Sequence, residues 1–119
     1  MIWKIAHDAE ILDITAFGDF FVKNADNSCD FYHVSEGEKN DVTELIDEYG
    51  LPPVNIDLGA DWYQLDAVAA LTDAGWQWND KQCLGFVQPL FQGGCYEQDN
   101  IAVMDFFDYQ KQLAASITL

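Results

Sequence analysis

The side chains best suited to nucleophilic chemistry are two histidines, His7 and His33, and three cysteines, Cys29, Cys83 and Cys95. A thiol becomes a nucleophile when an imidazole takes its proton, and the two residues need not be close in the sequence. His33 falls within one β-like segment and His7 lies near the N-terminus beside another, which favours a packing role for both. We therefore predict no catalytic residue. A small Cys/His-dependent enzyme is the alternative interpretation.

Metal and phosphate sites have weaker signals. Oxygen ligands are densest in residues 97–100 (EQDN), but a calcium loop needs oxygens spaced to wrap one ion and a glycine at its sharp turn, and this segment lacks that register. Gly93-Gly94 is followed by no lysine, and Glu97 and Asp99 would repel a phosphate. The sequence therefore predicts no metal and no cofactor.

Charge is the most unusual property of the chain. Five lysines and no arginine face 21 carboxylates, for a net charge of −16 at pH 7. The acids run from Asp8 to Asp108 and alternate with apolar residues, which is typical of a folded acidic surface. Such a field repels nucleic acid and anionic lipid and attracts basic proteins. We expect no direct nucleic acid binding and no membrane binding. An acidic surface that serves solubility alone is the competing interpretation.

Aromatic residues beside these acids could anchor a basic partner. Tryptophan and tyrosine dominate protein–protein hot spots, and neighbouring carboxylates add steering and specificity. Trp62 leads an apolar helix face, so we expect it in the core, whereas Trp76 and Trp78 could be core or anchor. The residues that we expect to bind the partner are Asp57, Asp61, Trp76, Trp78, Asp80, Glu97 and Asp99.

These residues must be positioned by regular structure, and the N-terminal part of the chain has the pattern of β-strands. Alternation predicts a half-buried strand over Glu10–Phe17, and an aromatic run predicts another over Asp19–Lys23. The turn residues 24–28 (NADNS) separate it from a returning strand over Cys29–Val34. A fourth strand is predicted over Ile101–Met104, in the same antiparallel sheet. Residues 79–100 are predicted to be irregular.

Three helices are predicted. The first covers about 41–49, with Asp41 and Glu44 as a capping box and Gly50 as its stop. The second covers 61–74, capped by Asp61, and the third covers 105–117, capped by Asp105. The sequence thus predicts a single α+β domain over residues 1–119, with an antiparallel β-sheet and two to three flanking α-helices. The odd number of cysteines and the lack of a signal or membrane segment favour a cytoplasmic location.

The C-terminal third carries a family resemblance. Its residues are Leu84-Gly85-Phe86, then 89–94 (PLFQGG), then 99–105 (DNIAVMD) and Tyr109, while residues 15–21 (TAFGDFF) resemble the family's FG-x-x-F opening. The chain resembles the bacterial family that forms the C-terminal domain of type VI secretion DNase-immunity proteins, often after a GAD-like domain. We expect a standalone version without the GAD-like domain, and residues 95–98 (CYEQ) are less acidic than the family pattern.

The resemblance implies an immunity protein that binds and occludes a cognate toxin, most plausibly a secreted nuclease with a basic face. It implies no catalytic residue and does not indicate which surface binds. The Pro, Gly, Asn and Asp positions shared with the family pattern then serve the fold, with Gly93-Gly94 in a turn, Asn100 in a bonded bend and Asp105 at a helix cap. A regulatory or scaffold binding domain without a toxin partner is a further alternative.

Overall fold

The described residues form six strands and four α-helices around three apolar clusters. The computed structural model describes the backbone of residues 8–51 and 56–117, and the side chains of residues 8–51 and 60–113. The strands are β1 Glu10–Ile14, β2 Phe20–Lys23, β3 Cys29–His33, β4 Glu38–Asp41, β5 Gln82–Phe86 and β6 Ile101–Asp105. The helices are α1 Thr43–Tyr49, α2 Ile56–Tyr63, α3 Leu65–Asp73 and α4 Phe106–Ile117. The predicted α+β class is confirmed.

Strand β2 is an inner strand of the main sheet, and its apolar residues are buried on both faces. The antiparallel order is β1-β2-β3-β4. Phe20 and Val22 point into one cluster with Tyr109 of α4, and Phe21 points into another with Trp62 of α2. Side chains alternate between the faces of a strand, so a strand covered on both sides needs an unbroken apolar run, which residues 20–22 supply. The predicted β2, β3 and core position of Trp62 are confirmed.

Strand β1 ends three residues earlier than predicted. The amide of Thr15 donates to the carbonyl of Asp19 at 2.7 Å, and Gly18 donates to Thr15 at 3.0 Å, so the chain turns where the alternation of apolar residues would have continued the strand. The register of β1 against β2 also shifts between Ile11 and Asp13. The irregularity directs Leu12 into the Phe21 cluster and leaves Ile14 44% exposed.

The prediction that Ile101–Met104 joins the main sheet is wrong. This strand, β6, pairs with β5 in a separate two-stranded antiparallel sheet, with Leu84 opposite Val103. β5 lies in the region that was predicted to be irregular. β4 was also missed, because Glu38–Asp41 is polar and exposed throughout and is held to β3 by backbone pairing.

The predicted helix over 61–74 is two helices. Gln64 has the left-handed dihedrals φ 54° and ψ 48°, which break the helix between α2 and α3. Asp61 lies inside α2 and caps nothing, and its carbonyl accepts a hydrogen bond from the Gln64 side chain at 2.9 Å. Within α3, Leu71 is buried, whereas Leu65 is 46% exposed.

The ends of α1 and α4 follow the predicted chemistry more closely. The predicted capping box at α1 is wrong: its N-cap is Val42, which makes no side-chain cap hydrogen bond, and Asp41, the last residue of β4, accepts from the amide and hydroxyl of Thr43. α1 ends at Gly50 as predicted. Asp105 caps α4 by accepting from the amide of Asp108 at 3.0 Å. Within residues 8–51 and 56–117, no helix is long and apolar enough to cross a bilayer.

Candidate partner-binding groove

A groove lies beside the outer strand β1, and two of the predicted partner-binding residues, Trp78 and Asp80, line it. Its volume is about 470 Å³, and it runs between β1 and the segment that leads into β5. We call it the β1 groove. It joins apolar, indole and carboxylate side chains in one concavity. Its lining residues are Ile11, Asp13, Ile14, Thr15, Ala16, Trp78, Asn79, Asp80 and Gln82.

Asp80 reaches the groove because a tight turn projects it outward. The Asn79 side chain accepts from the amide of Lys81 at 2.9 Å, and its carbonyl accepts from the amide of Gln82 at 3.1 Å. The Gln82 side chain in turn accepts from the Asn79 amide at 3.1 Å. Asparagine favours such turns because its short side chain bonds the backbone two residues on. Asp80, at the tip, is exposed.

The two tryptophans of 76–78 differ in role. The amide of Gly75, at φ 95°, donates to Thr72, and the amide of Trp76 donates to Leu71 at 3.0 Å. These two bonds form a Schellman motif at the end of α3, which typically brings apolar residues together across the helix end. Trp76 packs in the Leu71 cluster. Trp78 is also half-buried against that cluster, but it lines the β1 groove as well.

The other wall of the groove is held by Tyr63. Its hydroxyl donates to Asp13 Oδ2 at 2.7 Å, while Asp13 Oδ1 accepts from the amide of Ile14 at 3.0 Å. Burial, and next the hydrogen bond to Asp13, raise the pKa of the Tyr63 hydroxyl, so it remains a donor at neutral pH. Asp13 thus joins the groove to α2 as a fixed carboxylate.

A smaller pocket of about 260 Å³ adjoins the groove and shares Ile14, Asp80 and Gln82 with it. We call it the Phe107 pocket. Its apolar surface comes from β1 and the first turn of α4, and its lining includes two carboxylates, Asp80 and Asp105. Its lining residues are Ile14, Asp80, Lys81, Gln82, Asp105, Phe106 and Phe107.

The remaining predicted binding residues do not line either concavity. Asp61 is exposed on α2, and Glu97 and Asp99 are exposed around a 3-10 turn over Gln98–Asn100. Asp57 lies in α2, but its side chain is outside the described residues. The structure therefore brings Trp78 and Asp80 together and leaves Asp61, Glu97 and Asp99 elsewhere on the surface.

Sequence reasoning missed Ile11, Asp13, Ile14 and Phe107. One signal could have identified Phe107, which is 63% exposed beside the buried Phe106. Neighbouring residues on a helix point about 100° apart, so two consecutive phenylalanines at a helix start cannot both face the core. The exposure of Ile14 depends on the irregular register of β1, and no local pattern encodes it.

Another concavity, separate from the β1 groove and the Phe107 pocket, lies between β4 and α1. It is larger, at about 720 Å³, and its lining is mostly hydroxyl and carboxylate, including Thr43, Glu44 and Glu48. Leu45 is its one large apolar residue, and it has no aromatic side chain. Hot spots need desolvated apolar anchors, so this surface suits a partner less well than the β1 groove.

The described histidine pairs with a carboxylate. His33 Nε2 lies 3.7 Å from Asp19 Oδ2, and Asp19 Oδ1 accepts from the amide of Val34 at 3.0 Å. Asp19 is 1% exposed, and burial raises its pKa well above the usual range. Within the described residues no hydrogen bond joins His33 to a cysteine or serine. His7 lies outside them.

The buried thiols are poorly placed for nucleophilic chemistry. Burial, followed by the charges of Asp19 and Asp105, raises the pKa of Cys83 to about 12. Burial also raises the pKa of Cys29. A thiol at these sites stays protonated at neutral pH, and the thiolate is the reactive form. Cys95 is exposed. Among the described residues, no three His, Cys, Asp or Glu side chains are grouped to hold a metal ion.

The turn around Gly93-Gly94 serves the fold, as expected from its sequence. Asn100 Oδ1 accepts from the amide of Gln88 at 2.8 Å, and its Nδ2 donates to the carbonyls of Gln88 and Cys95 at 3.0 and 2.9 Å. A Cβ atom at Gly94 would lie 1.9 Å from the Gln88 oxygen. The predicted bend at Asn100 is confirmed, and it holds Glu97 and Asp99 on the surface away from the β1 groove.

Comparison with known proteins gives no further information on this surface: no protein-family model matches the chain, and no curated protein matches its sequence.

Proposed function

We propose that this chain is a cytoplasmic immunity protein that binds a basic toxin and occludes it, most plausibly a secreted nuclease effector. The motif resemblance in residues 84–109 supports the class of function. The observation that carries the proposal is the β1 groove, whose lining includes Trp78 and the carboxylates of Asp13 and Asp80. A surface that combines an aromatic anchor with neighbouring carboxylates is suited to binding a basic protein.

The electrostatics of a nuclease favour this kind of inhibitor. A nuclease is basic where it holds phosphates, because each phosphate carries a negative charge. A chain with a net charge of −16 attracts that surface from a distance and can raise the association rate well above the unsteered ~10⁵–10⁶ M⁻¹s⁻¹. Fast capture matters for a toxin that acts as soon as it is free. In this proposal the chain supplies no catalytic group, and inhibition comes from covering the toxin's active site.

The experiment begins with a toxin encoded beside the gene for this chain. Coexpression of the two proteins should restore the growth of cells that the toxin alone kills. With the purified pair, stopped-flow mixing across a salt series should show an association rate that falls steeply as salt rises, since the Debye length is ~10 Å at 0.1 M. Growth that is not restored, or an association rate that is indifferent to salt, would contradict the proposal.

Two single-charge variants locate the interface. Asp80→Asn and Asp99→Asn remove the same charge from exposed sites, but only Asp80 lines the β1 groove. Both should slow association slightly through the net charge, and only Asp80→Asn should also speed dissociation, because contact residues act mainly on dissociation. Equal effects of the two variants would place the interface elsewhere.

A further inference from the structure

We infer that the Phe107 pocket is the binding site for one arginine side chain of the partner, with its guanidinium against the Phe107 ring and between the carboxylates of Asp80 and Asp105. This inference deepens the proposed function and rests on it for the identity of the protein that carries the arginine. The chemistry of the pocket can be tested without that protein.

The apolar part of the pocket suits the stem of a long basic side chain. Ile14 is 44% exposed and Phe107 is 63% exposed, and the two flank the same concavity. The Phe106 and Phe107 rings meet edge to face, with centroids 5.3 Å apart, and Phe106 is buried, so the contact supports the orientation of Phe107. An exposed ring braced in this way offers its face to a cation.

The polar part of the pocket is a pair of carboxylates with spare capacity. Asp105 uses Oδ1 for the cap of α4, which leaves Oδ2 without a hydrogen bond to the described residues. Asp80 makes no hydrogen bond or ion pair within the described part of the chain. Lys81 is the one cation in the lining, and among the described residues no salt bridge within 4.0 Å joins it to either carboxylate. The carboxylates are therefore not neutralised from within.

Arginine fits this combination better than lysine. Its planar guanidinium stacks on an aromatic face, pairs with carboxylates through two parallel hydrogen bonds and gives up its hydration more readily than an ammonium does. A volume of about 260 Å³ is suited to one side chain and too small for a helix or a strand. The pocket opens next to the β1 groove, so an arginine there can accompany other contacts with Trp78.

The test is a titration of the ¹⁵N-labelled full chain with the peptide acetyl-Gly-Arg-Gly-amide, followed by NMR. The amides of Ile14, Lys81 and Phe107 should shift with a common, weak affinity. The matched peptide with citrulline has the shape of arginine without its charge and should bind about tenfold less tightly. The lysine peptide should fall between the two. Equal binding of the arginine and citrulline peptides, or shifts confined to other residues, would overturn the inference.

Variants of the chain separate the pocket from the general acidic field. Asp80→Asn/Asp105→Asn should weaken the arginine peptide about tenfold, and it retains the helix cap because asparagine caps as well as aspartate. Lys81→Gln removes the competing cation and should tighten binding about two- to threefold. Glu44→Gln/Glu48→Gln also removes two negative charges, but from α1, outside the pocket, and should leave binding unchanged.

An equal loss from the α1 variant would mean that only net charge matters, and the inference would fail. Because the probe is a peptide, such a failure leaves the toxin experiment unaffected. Conversely, if the arginine peptide binds as expected but the toxin does not bind, the proposed function is contradicted and the inference about the pocket is not.

Discussion

The hydroxyl of Tyr63 and the carboxylate of Asp13 are joined by a 2.7 Å hydrogen bond that connects two elements 50 residues apart in the chain. Tyr63 is the last residue of α2, and Asp13 belongs to the edge strand that forms one wall of the β1 groove. The bond sets the position of a carboxylate in the groove and also contributes to the stability of the fold.

Removing that hydroxyl should destabilise the protein modestly. Tyr63→Phe deletes the donor and leaves the ring in place, so we expect a loss of about 1 kcal/mol in the free energy of unfolding. Urea denaturation at pH 7 measures this loss, and the dependence of the free energy of unfolding on urea concentration should be unchanged. Tyr49→Phe on α1 is the control, because the Tyr49 hydroxyl makes no hydrogen bond with the described residues. An equal loss in both variants would contradict the role assigned to the bond.

Trp78 and Trp76 should separate binding from folding. Trp78→Ala removes the indole that lines the groove and should weaken the toxin complex by about 2 kcal/mol or more, as hot-spot residues do. Trp76→Ala removes the apolar contact at the end of α3 and should lower the free energy of unfolding by roughly 2 kcal/mol, with little effect on affinity. Calorimetric titration below both melting temperatures measures the affinities. The reverse pattern would assign the anchor to Trp76.

Asp19 should make wild-type stability fall as pH rises. Its folded pKa is raised well above 3.8 by burial, so the folded state binds the proton more tightly than the unfolded state does. This contribution is fully present below about pH 4 and is lost as pH rises through the folded pKa. The groups that face it include the Val34 amide, His33 and Glu36, and Asp19 also acts on Cys83, Tyr96 and Tyr109.

Asp19→Asn isolates the effect. The amide oxygen can still accept from Val34, but it does not titrate, so wild-type stability relative to the variant should decline from pH 4 upwards. His33 acts in the opposite direction, since burial lowers its pKa and its contribution is lost as pH falls below about 6.5. Thermal unfolding of both proteins from pH 4 to 8 gives the difference. A stability difference between the two proteins that does not change with pH, or that favours the wild type as pH rises, would contradict the raised pKa of Asp19.

Much of the main sheet could be predicted because its residues carry their own pattern. The apolar run of β2, the turn residues 24–28 and β3 together specify a hairpin, and Gly50 and Asp105 mark helix ends through local backbone chemistry. β4 could not be predicted, since four exposed polar residues have no apolar period and pair only through the backbone.

The candidate site was only partly predictable for the same reason. Trp78 and Asp80 were identified by residue type, but the wall opposite them is set by the register shift in β1 and by the Tyr63–Asp13 bond. Both depend on contacts between distant segments. The break at Gln64 likewise places a non-glycine residue in the left-handed region, which its local sequence does not favour.

The turn at Gly94 should not tolerate a side chain. Gly94→Ala places a Cβ 1.9 Å from the Gln88 oxygen and disturbs its bond to Asn100, so we expect a loss of roughly 3 kcal/mol from overpacking and the lost hydrogen bond. Gly93→Asn is the control, because the neighbouring site is open and asparagine tolerates its left-handed dihedrals; it should cost under about 1 kcal/mol. Chemical denaturation compares them. Similar losses would mean that backbone conformation, rather than crowding, limits the turn.

Strand β4 bears on how the protein behaves at high concentration. It forms one edge of the main sheet, and Glu38, Lys39, Asn40 and Asp41 are all exposed. An open sheet edge is a template for joining further chains, and charged side chains along it oppose that growth. Two copies that met at this edge would bring like charges together within a few ångströms. The least predictable strand of the chain thus opposes the addition of further chains at this edge of the sheet.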